Sequence, residues 1–419
     1  MENQDIKYSI LVPARNGGKY LPTCIETVVR QHFTDYELII SDDHSADETD
    51  AFLRSINHPN VRIVHPPESL SMAEHWEWVL MQSRGEWVMF LGQDDGLQPY
   101  FFRLAEKLSS IADRKGIRTI MSARAFFFWP GCGEFYGDTA VDFSASAHVS
   151  VLNCKFQALL ALLGFQNYFE LPEMYTTSLF RRDLLNEARK KQKGRIFVTH
   201  PQDANLAAIA CSLESKYVRS SIPLGWVGSS PRSAGLAIIA SITNNRANFD
   251  NTVFYSVAQN YLQITSKSQL PYHPLAGDFS LGSCTIYFWS ALLYTQGLRK
   301  SWLNKIILAK AFKLLLFASV LEEINSSRKN SKSRRLKMFK EILIVNSCNQ
   351  YLVTVFSKAF KILRKFFVLL SKVIVFTKRR IYPSCLYKTH WQDSPNEDML
   401  KASREIEELM KENRLIEIL

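Results

Sequence analysis

Apolar positions in the first half of the chain fall into short runs, separated by longer stretches in which they recur at helical spacing. The runs at 8–13, 36–41, 61–64, 86–91 and 118–122 read as strands, and 19–31, 46–55, 71–83 and 98–113 read as helices. This β-α-β-α rhythm predicts an α/β fold with a mostly parallel sheet flanked by helices. Residues 124–150 break the rhythm with Phe126-Phe-Phe-Trp-Pro-Gly-Cys-Gly133 and a small-residue stretch, and read as a loop with a cap-like excursion. Helices are expected at 151–163 and 183–192, a strand at 174–180, and a mainly helical pattern from about 246 to 345. Gly225 to Gly235 reads as a Gly/Ser/Pro loop, either plain or a mobile lid.

The last third has a different pattern. Within 352–377, Lys358, Lys361, Lys365 and Lys372 recur at helical intervals beside Arg364 and leave a bulky apolar face. No uncharged apolar run of roughly 18 residues occurs, so a spanning helix is not expected. The pattern predicts a basic amphipathic helix in the interface of an anionic membrane, with Lys378-Arg-Arg380 adding attraction. The alternative is a core helix with a solvated basic stripe. Glu397 to Leu419 reads as an exposed helix able to support oligomerisation.

Composition narrows the class. With 419 residues, 47% hydrophobic and 22% charged, the chain has ample core for two or three units. The net charge of +11 is concentrated: Arg299 to Arg380 holds 20 Lys/Arg against three acids, and the remainder is mildly acidic. An anionic partner is implied for that segment, a phospholipid surface or nucleic acid. Seven cysteines without a Cys-x-x-Cys pair argue against a disulfide framework or a zinc site. Met1 to Ile6 has no basic start or apolar stretch, so no signal peptide is expected.

Carboxylates carry the candidate chemistry. Asp42-Asp43 closes the run at 36–41, Asp94-Asp95 closes the run at 86–91, and Asp203 follows later. Ligands of open α/β sheets sit outside the carboxyl ends of the strands, so both pairs can face one crevice. Carboxylates gathered there repel unless a cation or a proton compensates them, which points to metal-assisted chemistry. Helix capping and turn formation are the bland alternative for each acid. An isolated His200 is read as a structural residue or an addition to the same site.

Several segments in order resemble the family-2 glycosyltransferases. They are Ser9-Ile-Leu-Val-Pro-Ala-Arg-Asn16, Tyr20 to Gln31, Asp42-Asp-His-Ser-Ala-Asp47, Gly85 to Asp95, Thr177-Ser-Leu-Phe-Arg-Arg182 and Pro201-Gln-Asp203, spread over residues 8–235. The resemblance implies a GT-A nucleotide-sugar fold and an inverting, metal-dependent transfer. It implies Asp95 as ligand of Mn²⁺ or Mg²⁺, Asp94 near the ribose or the metal shell, and Asp43, beside Asp42, on the base, a uracil. Pro13 and Asn16 would shape the loop under the nucleoside, Arg232 would reach the diphosphate, and Asp203 would be the general base. The expected division is a GT-A domain over 1–245, a helical region over 246–350, and a membrane-associating helix with a C-terminal helix over 351–419. A UDP-sugar donor, a lipid-linked saccharide acceptor in surface-polysaccharide assembly and a peripheral place on the inner face of the cell membrane follow from the resemblance and the basic segment. Nucleic acid is not an expected partner, and an oligomer is left open. The other readings are a sugar-nucleotide nucleotidyltransferase and a non-catalytic membrane or nucleic-acid binder. Two departures stand out: Gly92 where many members have an acid, and Met72-Ala-Glu-His-Trp76 in place of a basic residue with Asn.

Overall fold

A computed structural model of the chain describes residues 6–132, 138–199, 201–233, 284–298, 310–326, 329–345, 347–393 and 398–415. The expected strands form the centre of an eight-stranded sheet. They are β1 (Tyr8–Ala14), β2 (Tyr36–Asp42), β3 (Val61–Val64), β4 (Trp87–Phe90) and β6 (Thr119–Ser122). The sheet is completed by β9 (Val149–Asn153), β10 (Ser178–Arg181) and β11 (Lys216–Ser220), in the order β3-β2-β1-β4-β10-β6-β11-β9. β3, β2, β1, β4, β6 and β11 run in one direction, whereas β10 and β9 run against their neighbours. The α/β architecture with a mostly parallel sheet therefore holds. β2 is buried at every position and β1 at all but Pro13, as central strands covered on both faces must be.

Helices cover both faces. α1 (Leu21–Val29) starts with proline in its first turn and buries Leu21, Cys24, Ile25 and Val28, one stripe at helical spacing. α2 spans Thr49–Arg54, and α3 spans Met72–Met81. α4 (Phe101–Arg114), α5 (Cys154–Leu162), α6 (Arg182–Lys191) and α7 (Gln202–Leu213) follow. The start of α3 explains one departure: Ser71 and Glu74 form a reciprocal capping box, so the residues at that place close a helix end. Trp76 and Val79 of α3, Leu184 of α6 and Leu206 of α7 fill one face of the sheet, and α1 and α4 fill the other.

The stretch expected as a loop at 124–150 is instead a sheet. β7 (Ala125–Phe128) and β8 (Thr139–Ser146) join β5 (Gly96–Leu97), β12 (Gly225–Ser229) and β13 (Ser384–His390) in the order β13-β8-β7-β12-β5. Val141, Phe143 and Ala145 alternate inward on β8, but its small and polar neighbours mute the pattern in sequence. Its partner β13 lies some 240 residues away, with Ser384 opposite Ser146. The glycine-rich loop expected from 225 corrects likewise: residues 225–229 are β12, paired with β5 and β7. Residues 234 and 235 lie outside the described residues. The strand expected at 174–180 is shorter, because Tyr175–Thr177 form a 3₁₀ turn before β10.

The described part of the helical third contains α8 (Cys284–Tyr294), α9 (Lys310–Ser326), α10 (Lys329–Val345) and α11 (Gln350–Ile381). These share a core with α5 and α7 through Trp289, Phe317 and Phe339. The last helix, α12 (Met399–Glu412), corrects the expectation of an exposed helix. Met399, Ala402, Ile406 and Met410 are buried in the main core, and Trp226 Nε1 of β12 donates to Ser403 Oγ at 2.9 Å. Burying each of the larger of these side chains contributes about 1.5–3 kcal/mol. No disulfide joins the seven cysteines.

Candidate active site

Three neighbouring parallel strands, β2, β1 and β4, deliver their carboxyl ends to one edge of the sheet. The loops that follow are stitched together. Arg15 N donates to Gln93 Oε1 at 2.9 Å, and Asp43 N donates to Ala14 O at 2.9 Å. Asn16 takes a left-handed φ of 53°, which asparagine tolerates better than most residues. Its N–H donates to Ser45 Oγ at 2.8 Å, and its Oδ1 accepts from Ala46 N at 2.8 Å. Pro13, half-buried, is the penultimate residue of β1 and pairs with Ser41.

Asp42 and Asp43 are both 2% exposed. Asp42 accepts from Ser45 Oγ and lies 3.9 Å from His65 Nδ1. Asp42, Asp50 and His65 bring ligand atoms within 4.8 Å of one another, an exposed-edged cluster of a kind common without an ion. Asp43 accepts from Leu70 N at 3.0 Å and pairs with Arg15 at 3.2 Å. A carboxylate offers about four lone-pair sites, so these bonds leave capacity for a ligand N–H. Behind them His75 shares a 2.6 Å hydrogen bond with Ser41 Oγ, and burial pushes its pKa down to about 4.

Asp95 is 3% exposed, and both its oxygens accept backbone N–H bonds: Gly92 N at 2.9 Å and Gly228 N at 2.7 Å. Two glycines make this possible. A Cβ at Gly92 would come 2.7 Å from Asp95 Oδ2, and one at Gly228 would come 1.7 Å from Asp94 O. Gly92 thus replaces an acid of the family pattern with a turn that wraps the remaining carboxylate. Asp94 is half-buried, and its Oδ2 accepts from Ser230 Oγ at 2.7 Å and Ser233 Oγ at 2.6 Å. Burial raises the pKa of Asp94; burial and then the charge of Asp94 raise that of Asp95 further. Among the described residues no cationic side chain forms an ion pair with either.

This donor set suits a hard divalent ion. Such ions are commonly held by one or two carboxylates plus substrate phosphates and waters, and a cation would offset both the burial that lifts the two pKa values and the repulsion that lifts that of Asp95. Arg232, on the turn after β12, is exposed; its Nη1 donates to Asn16 O at 2.6 Å and lies 3.7 Å from Asp47. It spans the mouth of the crevice from the β12 side to the β1 side.

Asp203 sits in the first turn of α7. Its Oδ2 accepts from Tyr168 Oη at 2.9 Å, and burial raises its pKa. His200 lies outside the described residues. Near Asp203, buried Glu173 accepts from Arg124 and from Thr177 Oγ1 at 2.8 Å, with burial lifting its pKa to about 7. Tyr175 links the two groups. It precedes β10, whose reversed direction puts this turn at the carboxyl end of β4, and its φ of 70° is strained for a tyrosine. Burial raises its pKa, and the charges of Asp203, Asp95, Glu173 and Asp94 raise it further.

Pro13, Asn16, Asp42, Asp43, Asp94, Asp95 and Arg232 thus gather around the carboxyl edge, whereas Asp203 sits on α7 with Tyr168 as its side-chain partner. Sequence reasoning did not single out Gly228, Ser230, Ser233, Arg124, Tyr168, Glu173 or Tyr175. The segment from Gly225 signals a special backbone, but only the fold brings it onto Asp94 and Asp95.

Residues 9–112 match the family model described as Glycosyl transferase family 2. Over 93 residues the chain is 32% identical to the PGL/p-HBAD biosynthesis glycosyltransferase of Mycobacterium bovis (strain BCG / Pasteur 1173P2), covering 22% of this chain and 36% of that protein. It is also 34% identical over 93 residues to the chondroitin synthase of Escherichia coli, covering 22% of this chain and 13% of that protein. The chain therefore spans about a third or less of these relatives' length. Among solved structures, Staphylococcus aureus TarS 1–349 in complex with UDP-GlcNAc aligns with 14% identity and a TM-score of 0.43, covering 82% of this chain and 93% of that one. The mannosyltransferase PcManGT of Pyrobaculum calidifontis, in complex with GDP-Man and Mn²⁺, aligns with 14% identity and a TM-score of 0.38, over 88% and 89%. The ordered motifs and the match across residues 9–112 make the N-terminal part of this chain similar to glycosyl transferase family 2.

Proposed function

We propose that the chain is an inverting, metal-dependent glycosyltransferase that moves a sugar from a nucleotide-sugar, a UDP-sugar in the first instance, to a lipid-linked saccharide. The observation that carries this reading is the adjacent pair Asp94 and Asp95, packed at the carboxyl end of β4 with neutral donors and, among the described residues, no cationic partner. Mn²⁺ or Mg²⁺, when bound, would supply Lewis-acid stabilisation to the departing diphosphate. Asp95 would ligate it, with Asp94 held toward the ribose or the metal shell by Ser230 and Ser233. Asp43, with Asp42 beside it, would accept from the base, and Pro13 and Asn16 would form the floor below the nucleoside. Arg232 already reaches Asn16 across the mouth and would donate to phosphate oxygens there.

Transfer with inversion needs the acceptor hydroxyl to lose its proton as it attacks. Asp203 would take that proton at a carboxylate oxygen, and Tyr168 would fix its orientation. The catalytic unit in this reading is residues 1–245, completed by the strand and helix of residues 384–412. Surface-polysaccharide assembly at the inner face of the cell membrane is the setting, as a peripheral protein; no described helix is long and apolar enough to cross a membrane.

The deciding experiment is thermal stabilisation by UDP, GDP, dTDP, CMP and ATP, each with Mn²⁺, Mg²⁺ or chelator, for the native chain and Asp95→Asn. A ligand that binds only the folded state raises stability with the logarithm of its excess over Kd. UDP with metal should shift the native chain and leave Asp95→Asn unmoved. A shift with GDP alone would replace the donor, and one with ATP alone would favour nucleotidyl transfer. No shift with any nucleotide would remove the reading.

A further inference from the structure

We propose that α11 is a fixed docking surface that lays this protein onto an anionic lipid bilayer, in the plane of the headgroups. This deepens the proposed reading by naming the surface through which a lipid-linked acceptor is met. Its physical basis does not depend on the active site.

The helix has 32 residues, about 48 Å at 1.5 Å per residue. It meets the body along one stripe: Val353 is 0%, Ser357 4% and Phe360 7% exposed. The Phe165 ring stacks there, 5.7 Å from Phe360 and 4.4 Å from Phe367. A second line, Tyr351, Val355, Ile362, Phe366, Leu369 and Val373, follows the spacing i, i+4, i+11, i+15, i+18, i+22. Its members are 47–74% exposed. At about 100° per residue, Lys358, Lys361, Lys365 and Lys372 fall between this line and the body stripe. The four lysines and Arg364 form no ion pair among the described residues. The sequence contains no Asp or Glu from 342 to 392.

Charge selects the occupant. An apolar line wide enough to carry Phe, Ile, Leu and Val is unlike a singly exposed side chain, and it marks an interaction face. The adjacent lysines are placed where an in-plane helix meets headgroups, with their stems available to the apolar layer. A second copy of the chain is the poorer partner, because a two-fold interface apposes the same patch and would bring the lysine rows together. The helix does not cross the bilayer, since none of the described helices is long and apolar enough.

Both ends are held. The first turns are clamped by the body stripe, and beyond Ile381 the Tyr382 ring lies 4.9 Å from that of His148. Pro383 O then accepts from Ala147 N at 2.9 Å, and β13 pairs along β8. The membrane face is therefore rigidly tied to the sheet that contributes Gly228 to Asp95. It is not a loose tether.

The test is flotation of the full chain with vesicles of phosphatidylglycerol in phosphatidylcholine, against phosphatidylcholine alone, at low and high salt. Native protein should partition onto the anionic vesicles, less so at high salt. Replacing Lys358, Lys361, Lys365 and Lys372 by Gln should weaken binding roughly fivefold per lysine. Phe366→Glu with Leu369→Glu should abolish it; both sites are exposed, so stabilisation by UDP and metal should be unchanged. Absence of partition, equal binding to neutral vesicles, or a four-Gln variant that binds like the native chain would overturn the inference. So would a dimer that the Glu variant dissociates while vesicle binding is absent. Failed docking with an intact nucleotide response removes this inference alone; the reverse result removes the donor reading alone.

Discussion

The crevice and α11 handle charge in opposite ways. In the crevice, Asp94 and Asp95 are held by neutral N–H and O–H donors, and burial raises their pKa values and that of Asp203. On α11, Lys358, Lys361, Lys365 and Lys372 are exposed, without an ion pair among the described residues, beside apolar side chains that the body leaves uncovered. Buried charge without its counterion is costly, so the first arrangement is poised to receive a cation or a proton. Exposed charge costs little, so the second is free to act at a distance through the field it creates. The first region suits chemistry and the second suits docking.

Asp95→Asn offers the largest break. It should reduce transfer by about 10³-fold, roughly 4 kcal/mol, and remove the metal-dependent response to UDP, while vesicle flotation stays native. An Asp95→Asn protein that turns over normally would take the metal out of the crevice.

Asp203→Asn separates chemistry from donor binding within the same region. A loss of about 10²-fold or more in kcat is expected for removal of a general base, with calorimetric UDP affinity retained. Equal loss of both would recast Asp203 as structural.

Gly228→Ala probes the frame. Its Cβ has no room beside Asp94 O, so chemical denaturation should show a loss of about 1–3 kcal/mol. Metal-dependent nucleotide binding should weaken with it, because Gly228 N is a partner of Asp95. An alanine at an exposed α11 position, Ile362→Ala, should leave both unaffected.

The smallest effect sharpens the electrostatic side. Tyr168 donates to Asp203, which favours the ionised carboxylate and lowers a pKa that burial has raised. Tyr168→Phe removes that help, so the pKa rises further. Because the base works only when ionised, the acidic limb of the kcat/KM profile should move to higher pH. An unmoved limb would show that a different group titrates there.

Much of the crevice was legible because it is built from local signals. The strands at 8–14, 36–42 and 87–90 end where an apolar run meets Asp or Asn, and the family motifs follow the same order. The loop expected from Gly225, plain or a lid, begins instead as a strand, because a strand rich in Gly and Ser, beside one tryptophan, has little hydrophobic alternation. The loop expected at 124–150 failed similarly: β8 declares itself only when β7 and β13 flank it. For the last helix, the buried stripe was visible as helical spacing, but not what would cover it.

What the sequence by itself determined was periodicity and its punctuation: which segments would be strands or helices, where the acids would sit relative to strand ends, and that one long helix would be basic and apolar. These depend on neighbours a few residues away, which dihedral preference and side-chain spacing encode directly. The tertiary structure alone decided which distant backbone groups would meet those acids. Gly228 reaches Asp95 across 133 residues, Ser230 reaches Asp94 across 136, and Ser403 reaches Trp226 across 177. Such contacts follow from burying the apolar faces of both sheets together, and no local pattern specifies them because the burial is shared by the whole chain.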